Sequence, residues 1–308
     1  RQKFNSGLLK MYAAFDTTNF ELIQEDINIS EGVKFKLNNN NLYFNGSYKG
    51  ILSDNWSMSS GLSYTYANNE LDIIDNTIEN TENSFHGKVV FKRRFNNRFK
   101  LNIGADYFAT KFNELFESST IQETSLGFNN NISAVFTEAD LIFSKKLALK
   151  AGIRGEYSEI FKQFTMSPRI SIAYKTDKNS QISLAYGDFY QQPNSDILKF
   201  NQDLESQQTS HYILNYQFNS EGKIFRAEAY FKNYSNLVKY NTEFPAFSSE
   251  YNNLGDGYSQ GFDLFWRDNK SFKYLDYWVS YSYLDTERDY RNFPTSVVPS
   301  FVNNHNFS

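Results

Sequence analysis

The chain has 308 residues, 18% of them aromatic (30 Phe and 22 Tyr), a net charge of −4 and a pI near 5.6. That acidic balance excludes the basic stripe of a nucleic-acid binder, and the length suits one large or two medium domains. The lack of cysteine removes disulfide scaffolds and thiolate-held metals, and no apolar run approaches the roughly 18 residues of a membrane helix, so any span of a bilayer must be a closed β-barrel.

Residues 6–15 set Leu8, Lys10, Tyr12 and Ala14 against Leu9, Met11, Ala13 and Phe15, a strand apolar on both sides. From 16 to 41 the text is polar and irregular, ends in four consecutive asparagines (Asn38 to Asn41), and reads as a loop. Strands over 42–52 and 55–67 flank a turn at Ser53 and Asp54. In the second, Trp56, Met58, Leu62, Tyr64 and Tyr66 oppose Ser57, Ser59, Gly61, Ser63 and Thr65, which is the period of a strand and not of a helix. An acidic, Asn-rich loop over 68–83 leads to strands over 84–95 and 98–109, where Phe99, Leu101, Ile103, Ala105 and Tyr107 oppose Lys100, Asn102, Gly104 and Asp106. After a polar loop to about 129, strands over 131–144 and 146–157 set Leu147, Leu149, Ala151 and Ile153 against Lys150, Gly152, Arg154 and Glu156.

The clearest pattern lies in 165–190, where Ile170, Ile172, Tyr174, Ile182, Leu184 and Tyr186 share one face of an antiparallel hairpin. Its other face holds Arg169, Ser171, Ala173, Ser183, Ala185 and Gly187. A loop over 191–208 precedes strands over 209–219 and 223–235, joined at Ser220, Glu221 and Gly222. A loop through Pro245 leads to strands over 257–267 and 274–286, joined at 268–271. A last loop carries Pro294 and Pro299, and a strand begins at His305.

Connections thus alternate between tight (near 53, 96, 145, 178, 221 and 269) and long. The expected fold is all-β, an antiparallel up-and-down transmembrane β-barrel of about thirteen strands, with short turns periplasmic and long loops extracellular. A sandwich would add Greek-key crossovers, and a soluble protein would need a second layer over so many apolar faces, for which no helical period exists. Trp56, Phe95 and Phe99 lie near tight turns, and Tyr64, Tyr66, Tyr186, Tyr281 and Tyr283 toward long loops, as two interfacial girdles would place them. The plainer account is that aromatic residues favour strands.

The succession Gly152-Ile153-Arg154-Gly155-Glu156-Tyr157, then Ser167-Pro168-Arg169-Ile170-Ser171, then Tyr186-Gly187-Asp188-Phe189-Tyr190-Gln191-Gln192-Pro193, resembles the barrel of TonB-dependent outer-membrane receptors. Asn253-Leu254-Gly255, Gly261-Phe262-Asp263, Pro299-Ser300 and His305-Asn306-Phe307 continue the resemblance in the expected order. It covers about residues 85–308 well and the first 80 poorly; order and spacing, more than any single motif, carry it. Receptors of this kind have roughly 22 strands, so the resemblance implies part of a larger barrel, with the plug domain, the box for the energising partner and a closing aromatic strand outside this chain. The start at Arg1, without Met or a signal-like segment, also fits an excerpt. Residues 1–308 are expected to form a single barrel region, 1–41 a poorly assigned strand and loop and 42–308 a meander of hairpins.

The resemblance implies import of a bulky nutrient (metal chelate, vitamin or glycan) across the outer membrane of a Gram-negative bacterium, without catalysis or cofactor. The implied partners are outer-membrane lipid, a TonB-like inner-membrane energy transducer acting through the plug, and a surface lipoprotein; nucleic acid is not among them. The alternatives from the residues alone are a soluble or surface-exposed all-β binding or structural protein, or a smaller passive porin. Candidate ligand contacts are Tyr190, Gln191, Gln192 and Asn194 on the loop over 191–208, and Tyr240, Phe244, Phe247 and Tyr251 on the loop over 240–251. Against them stands the general polarity of surface loops. Glu70, Asp72, Asp75, Glu79 and Glu82 lack the spacing and glycine of an EF-hand and read as a solvated acidic loop. His86, His211 and His305 are far apart in sequence and read as polar lumen or loop residues, and no G-x-S-x-G elbow is present.

Overall fold

Alternation at period two gives every strand two chemically different faces, and pairing each strand with the next in sequence makes one continuous curved wall. The computed structural model describes residues 1–27, 29–119 and 123–308. Its strands are β1 (Gln2–Phe4), β2 (Gly7–Asp26), β3 (Ile29–Ser53), β4 (Trp56–Ile73), β5 (Asn76–Arg94), β6 (Phe99–Ser118) and β7 (Thr124–Ile142). There follow β8 (Leu147–Ser158), β9 (Gln163–Lys175), β10 (Ser180–Gln191), a helical turn α1 (Ser195–Leu198), β11 (Gln207–Ser220), β12 (Lys223–Tyr240), β13 (Tyr251–Phe272), β14 (Leu275–Asp289) and β15 (His305–Phe307). They form a 15-stranded antiparallel sheet in strict chain order, an up-and-down meander without crossovers and without closure between β1 and β15.

Register turns the alternation into rows. One runs Leu141, Leu149, Ile172, Leu184, Leu214, Ala229, Phe262, Tyr283 from β7 to β14. These side chains point away from the concave side; Leu184 is 54% exposed and Leu214 43%. A row of exposed aliphatic and aromatic groups belongs against acyl chains, not water. The opposite face carries Lys92, Asn102, Glu138, Gly152, Arg169, Gly187, His211, Lys232, Ser259 and Thr286 in register from β5 to β14. Buried Asp106, Thr165 and Ser167 share that inner side.

The two-residue turn at Ile74 and Asp75 lies at one end, while the turns expected near 53, 96, 145, 178, 221 and 269 fall at the other. There Arg93 lies over Trp56 (5.3 Å) and Phe95 (4.3 Å), and Phe95 stacks on Phe99 at 4.8 Å, giving that rim an aromatic and cationic edge. The last of these turns is Lys273 and Tyr274, further along than the expected 268–271. The reason is local: Asp268 accepts from the backbone N–H groups of Lys270 and Ser271 (2.9 Å each), which makes an irregularity in the β13–β14 ladder instead of the reversal. The Ser271 hydroxyl, with these two backbone donors, holds the Asp268 carboxyl down to about 2.

Three segments expected as loops are strand. Residues 16–26 and 29–41 belong to β2 and β3, paired as Thr17↔Asn40, Thr18↔Asn39 and Asn19↔Asn38. Residues 68–83 form the β4–β5 hairpin around Ile74 and Asp75, and β6 and β7 extend over most of 110–129. The acids of 68–83 are therefore a ladder and not a solvated loop: Glu70 accepts from Asn38 (3.0 Å), Glu79 from Asn68 (2.6 Å), and Asp72 from Thr77 (2.8 Å). Connections over 192–206, 241–250 and 290–304 lack strands, and β15 starts at His305 as expected.

Candidate functional site

At the end remote from the tight turns, β6 and β7 carry Phe112 and Phe128 opposite each other on the inner face, stacked at 5.4 Å and each 7% exposed. Leu198 of α1 packs on the pair and is 2% exposed, with Ile160 and Phe161 from the β8–β9 connection beside it. Lys199 donates to Glu114 at 2.7 Å, two nearly buried charges satisfying each other. The Gln192 amide donates to Ser158 Oγ (2.8 Å) and accepts from Asn130, while the Ser206 N–H donates to Gln163 at 3.0 Å and Leu204 is buried. The segment over 192–206 is thus laid across the inner wall and occupies part of the mouth.

The connection over 241–250 is braced by its own polar groups. Tyr251 OH donates to the Ala246 carbonyl (2.9 Å), the Ala246 N–H to Ser249 Oγ (2.9 Å) and the Glu250 N–H to Asn241 (2.9 Å). Tyr240 and Tyr251 pair at the base (6.0 Å), where burial pushes the Tyr240 phenol above its ordinary range. Two rings stay outside this bracing: Phe244 is 71% exposed and Phe247 68%. Phe200 meets Phe247 edge-on at 5.3 Å and joins the two connections.

The expected contacts therefore separate by role. Phe244 and Phe247 are exposed on one connection, Phe247 meets the half-buried Phe200, and Tyr240 and Tyr251 pair at the base of that connection. Gln192 is engaged as a hydrogen-bond bridge, and Asn194, exposed and without a side-chain cap hydrogen bond, precedes α1. Among the described residues, no ring contact or hydrogen bond links Tyr190 or Gln191 to these rings. The sequence reading missed Phe200; an aromatic residue just after Leu198 in an otherwise polar stretch was the available signal.

Deeper on the inner wall, Asp106 gathers two cations and a histidine. Its carboxylate meets Arg154 at 2.5 Å, His86 at 3.2 Å and Lys88 at 3.4 Å, and Arg154 also donates to Glu156 at 2.9 Å. His86 stacks on Phe108 at 4.0 Å and His211 lies 4.6 Å from Phe189, both on the inner face, whereas His305 sits on the outer face with Tyr281. Among the described residues no group of three His, Cys, Asp or Glu side chains is placed to hold a metal ion.

A single meander with an apolar outer row and a polar inner wall is the context in which similarity to known proteins is informative. The family model described as "TonB dependent receptor-like, beta-barrel" matches residues 4–308. The chain belongs to the TonB-dependent receptor β-barrel family. Among solved structures it is similar to the outer membrane transporter YddB from Escherichia coli, at 9% identity and TM-score 0.75 over 92% of this chain and 46% of that one. It is also similar to the alcaligin outer membrane receptor FauA from Bordetella pertussis, at 12% identity and TM-score 0.70, covering 96% and 54%. A ferric enterobactin receptor PfeA mutant from Pseudomonas aeruginosa follows at 13% identity and TM-score 0.73, covering 91% and 49%. At such identities the likeness is one of fold, and the chain spans about half the length of each structure. No curated protein matches the chain.

Proposed function

We propose that this chain is barrel wall of an outer-membrane TonB-dependent receptor in a Gram-negative bacterium, and that residues 1–308 form one barrel region within a larger barrel. The observation that carries the reading is the pair of in-register rows on opposite faces of one sheet, greasy from Leu141 to Tyr283 and polar from Lys92 to Thr286. The family membership of residues 4–308 supports the receptor role over a soluble sandwich or a passive porin. Receptors do not transform their cargo, so the role assigned is capture and passage without catalysis. Energy comes from an inner-membrane transducer acting through a plug supplied outside these residues, with a surface lipoprotein as a further partner.

Names of similar structures include a copper transporter, receptors for alcaligin and ferric enterobactin, and a peptide transporter, so the wall by itself does not select the cargo. The cargo proposed is a bulky nutrient: a metal chelate, a vitamin or a glycan. Phe244 and Phe247, the latter beside Phe200, are the first rings it meets, because solvent-exposed rings stack on flat apolar faces of such ligands. Membrane fractionation tests the location, with a band that shifts on heating as the mark of a folded barrel. Recovery of the native protein in the soluble fraction would end this reading. For the mouth, replacing Phe244 and Phe247 together by Ala should lower cell-surface ligand capture about tenfold or more, as loss of two stacking contacts predicts.

A further inference from the structure

The inner wall holds a second recess, at the tight-turn end and well away from the aromatic mouth. It is about 780 Å³ in volume. Its floor is β4, which contributes the small side chains of Ser57 and Ser59 to the inner face. On one side stands Lys49 of β3, paired with Ser59; on the other stands Lys92 of β5, paired with Ser57. Strands lie about 4.8 Å apart, so β3 and β5 are separated by roughly 10 Å, and two lysine side chains leaning over a serine floor reach a common point between them.

The charge of the recess is one-sided. Lys3, Lys49, Lys88, Lys92 and Arg1 line it, and Glu138 is the one acid among the lining residues. Glu138 is already engaged by Lys150 (3.0 Å) and Asn102 (3.2 Å), and Lys88 is held by Asp106. Among the described residues Lys3, Lys49 and Lys92 have no acidic partner. Elsewhere on this wall several cations are matched, Arg154 with Asp106 and Glu156, Lys150 with Glu138 and Asp140, Arg267 with Asp276, while Arg169 and Lys232 lie over the rings of Phe189 and Tyr230. Phe136 and Val90 add an apolar side to the recess. Converging ammonium groups, free serine hydroxyls and one greasy side suit a compact solute carrying several anionic oxygens on a carbon frame.

We propose that this recess is a binding site for a multiply charged oxyanion, a polycarboxylate or an organic phosphate, held by Lys49 and Lys92 above the Ser57 and Ser59 floor near the periplasmic exit. The inference rests on the barrel reading, since only there does this face line an interior. Two lysines that share one ligand each contribute a charge-assisted contact, and the attraction weakens as salt rises.

The test titrates the native protein in detergent with citrate and with pyrophosphate by calorimetry, after a heat-modifiable gel has established that the barrel is folded. The variants are the double change Lys49→Gln with Lys92→Gln, and Lys232→Gln, a control on the same inner face. Saturable binding at low salt that weakens at least tenfold in the double variant and is unchanged in the control bears the proposal out. Citrate and pyrophosphate responding alike would identify oxyanion charge as what is read; one alone responding would name the class. No saturable heat from either probe overturns it, as does equal weakening in the control. So does binding of a poly-glutamate peptide when both small anions fail, because the occupant is then a protein segment. A protein that fails the gel step refutes the barrel reading instead, which keeps the two failures apart.

Discussion

Leu184 gives the sharpest test of which face meets lipid. It lies four residues above the start of β10 at Ser180, in the outer row between Ile172 and Leu214, and is 54% exposed. With a rise of about 3.4 Å per residue and a tilt near 40°, it stands about 10 Å above the turn end, close to the middle of an apolar band about 25 Å tall. An arginine at that depth costs about 2–4 kcal/mol, or roughly 30- to 700-fold in the ratio of folded to unfolded protein. The neighbouring Ser183 faces inward between Ala173 and Asn215, where a charged side chain stays wet. Leu184→Arg should therefore lower the urea midpoint for folding into lipid vesicles, read by heat-modifiable gel mobility, and Ser183→Arg should leave it nearly unchanged. Equal losses in the two variants, or a larger loss at Ser183, would refute the assignment of faces.

Leu198→Ala removes the residue seated on Phe112 and Phe128, which should cost about 2–5 kcal/mol of local anchoring. Residues 192–206 should then exchange amide hydrogens at least tenfold faster while the strands keep their protection. Gly261 has its missing Cβ position only 2.6 Å from the Tyr230 hydroxyl and closer still to the Tyr283 carbonyl, so Gly261→Ala should destabilise the barrel by about 1–3 kcal/mol in the same urea assay. Asp268, held down to about 2, stabilises the folded form above the ordinary carboxylate value near 4. That contribution fades as pH falls from about 4 through 2. The urea midpoints of the wild type and Asp268→Asn should differ at pH 6 and converge by pH 2.

The meander was legible because lipid imposes a pattern: where a strand crosses the apolar band, as Phe99 to Tyr107 or Ile170 to Tyr174 do, every second residue must be greasy. Above the band both faces meet water and the constraint lapses. This is why Thr17 to Glu21, Asn38 to Asn41 and Glu70 to Ile73 read as loop although they are strand, held by cross-strand amide and carboxylate bonds such as Asn38 to Glu70. The mouth was half visible. Phe244 and Phe247 stood out as aromatic residues in a connection, but the partnership of Phe112, Phe128 and Leu198 joins residues distant in sequence, and only the fold brings them together. The recess at the other end was hidden for a similar reason, since Lys49, Ser57 and Lys92 belong to three strands whose register no local pattern gives.

The unequal strands give the wall an uneven height. β3 has 25 residues and β8 has 12, so at about 2.6 Å of height per tilted residue one flank stands roughly 65 Å tall and the other about 31 Å. The low flank barely clears a bilayer, while the high one overhangs it like one side of a cut funnel. In the proposed receptor, cargo reaching this wall from outside meets its lowest rim at β8–β10, so approach over this wall is directional. An antibody or phage bound to the high flank could leave the doorway free, whereas one seated on the low flank would close it.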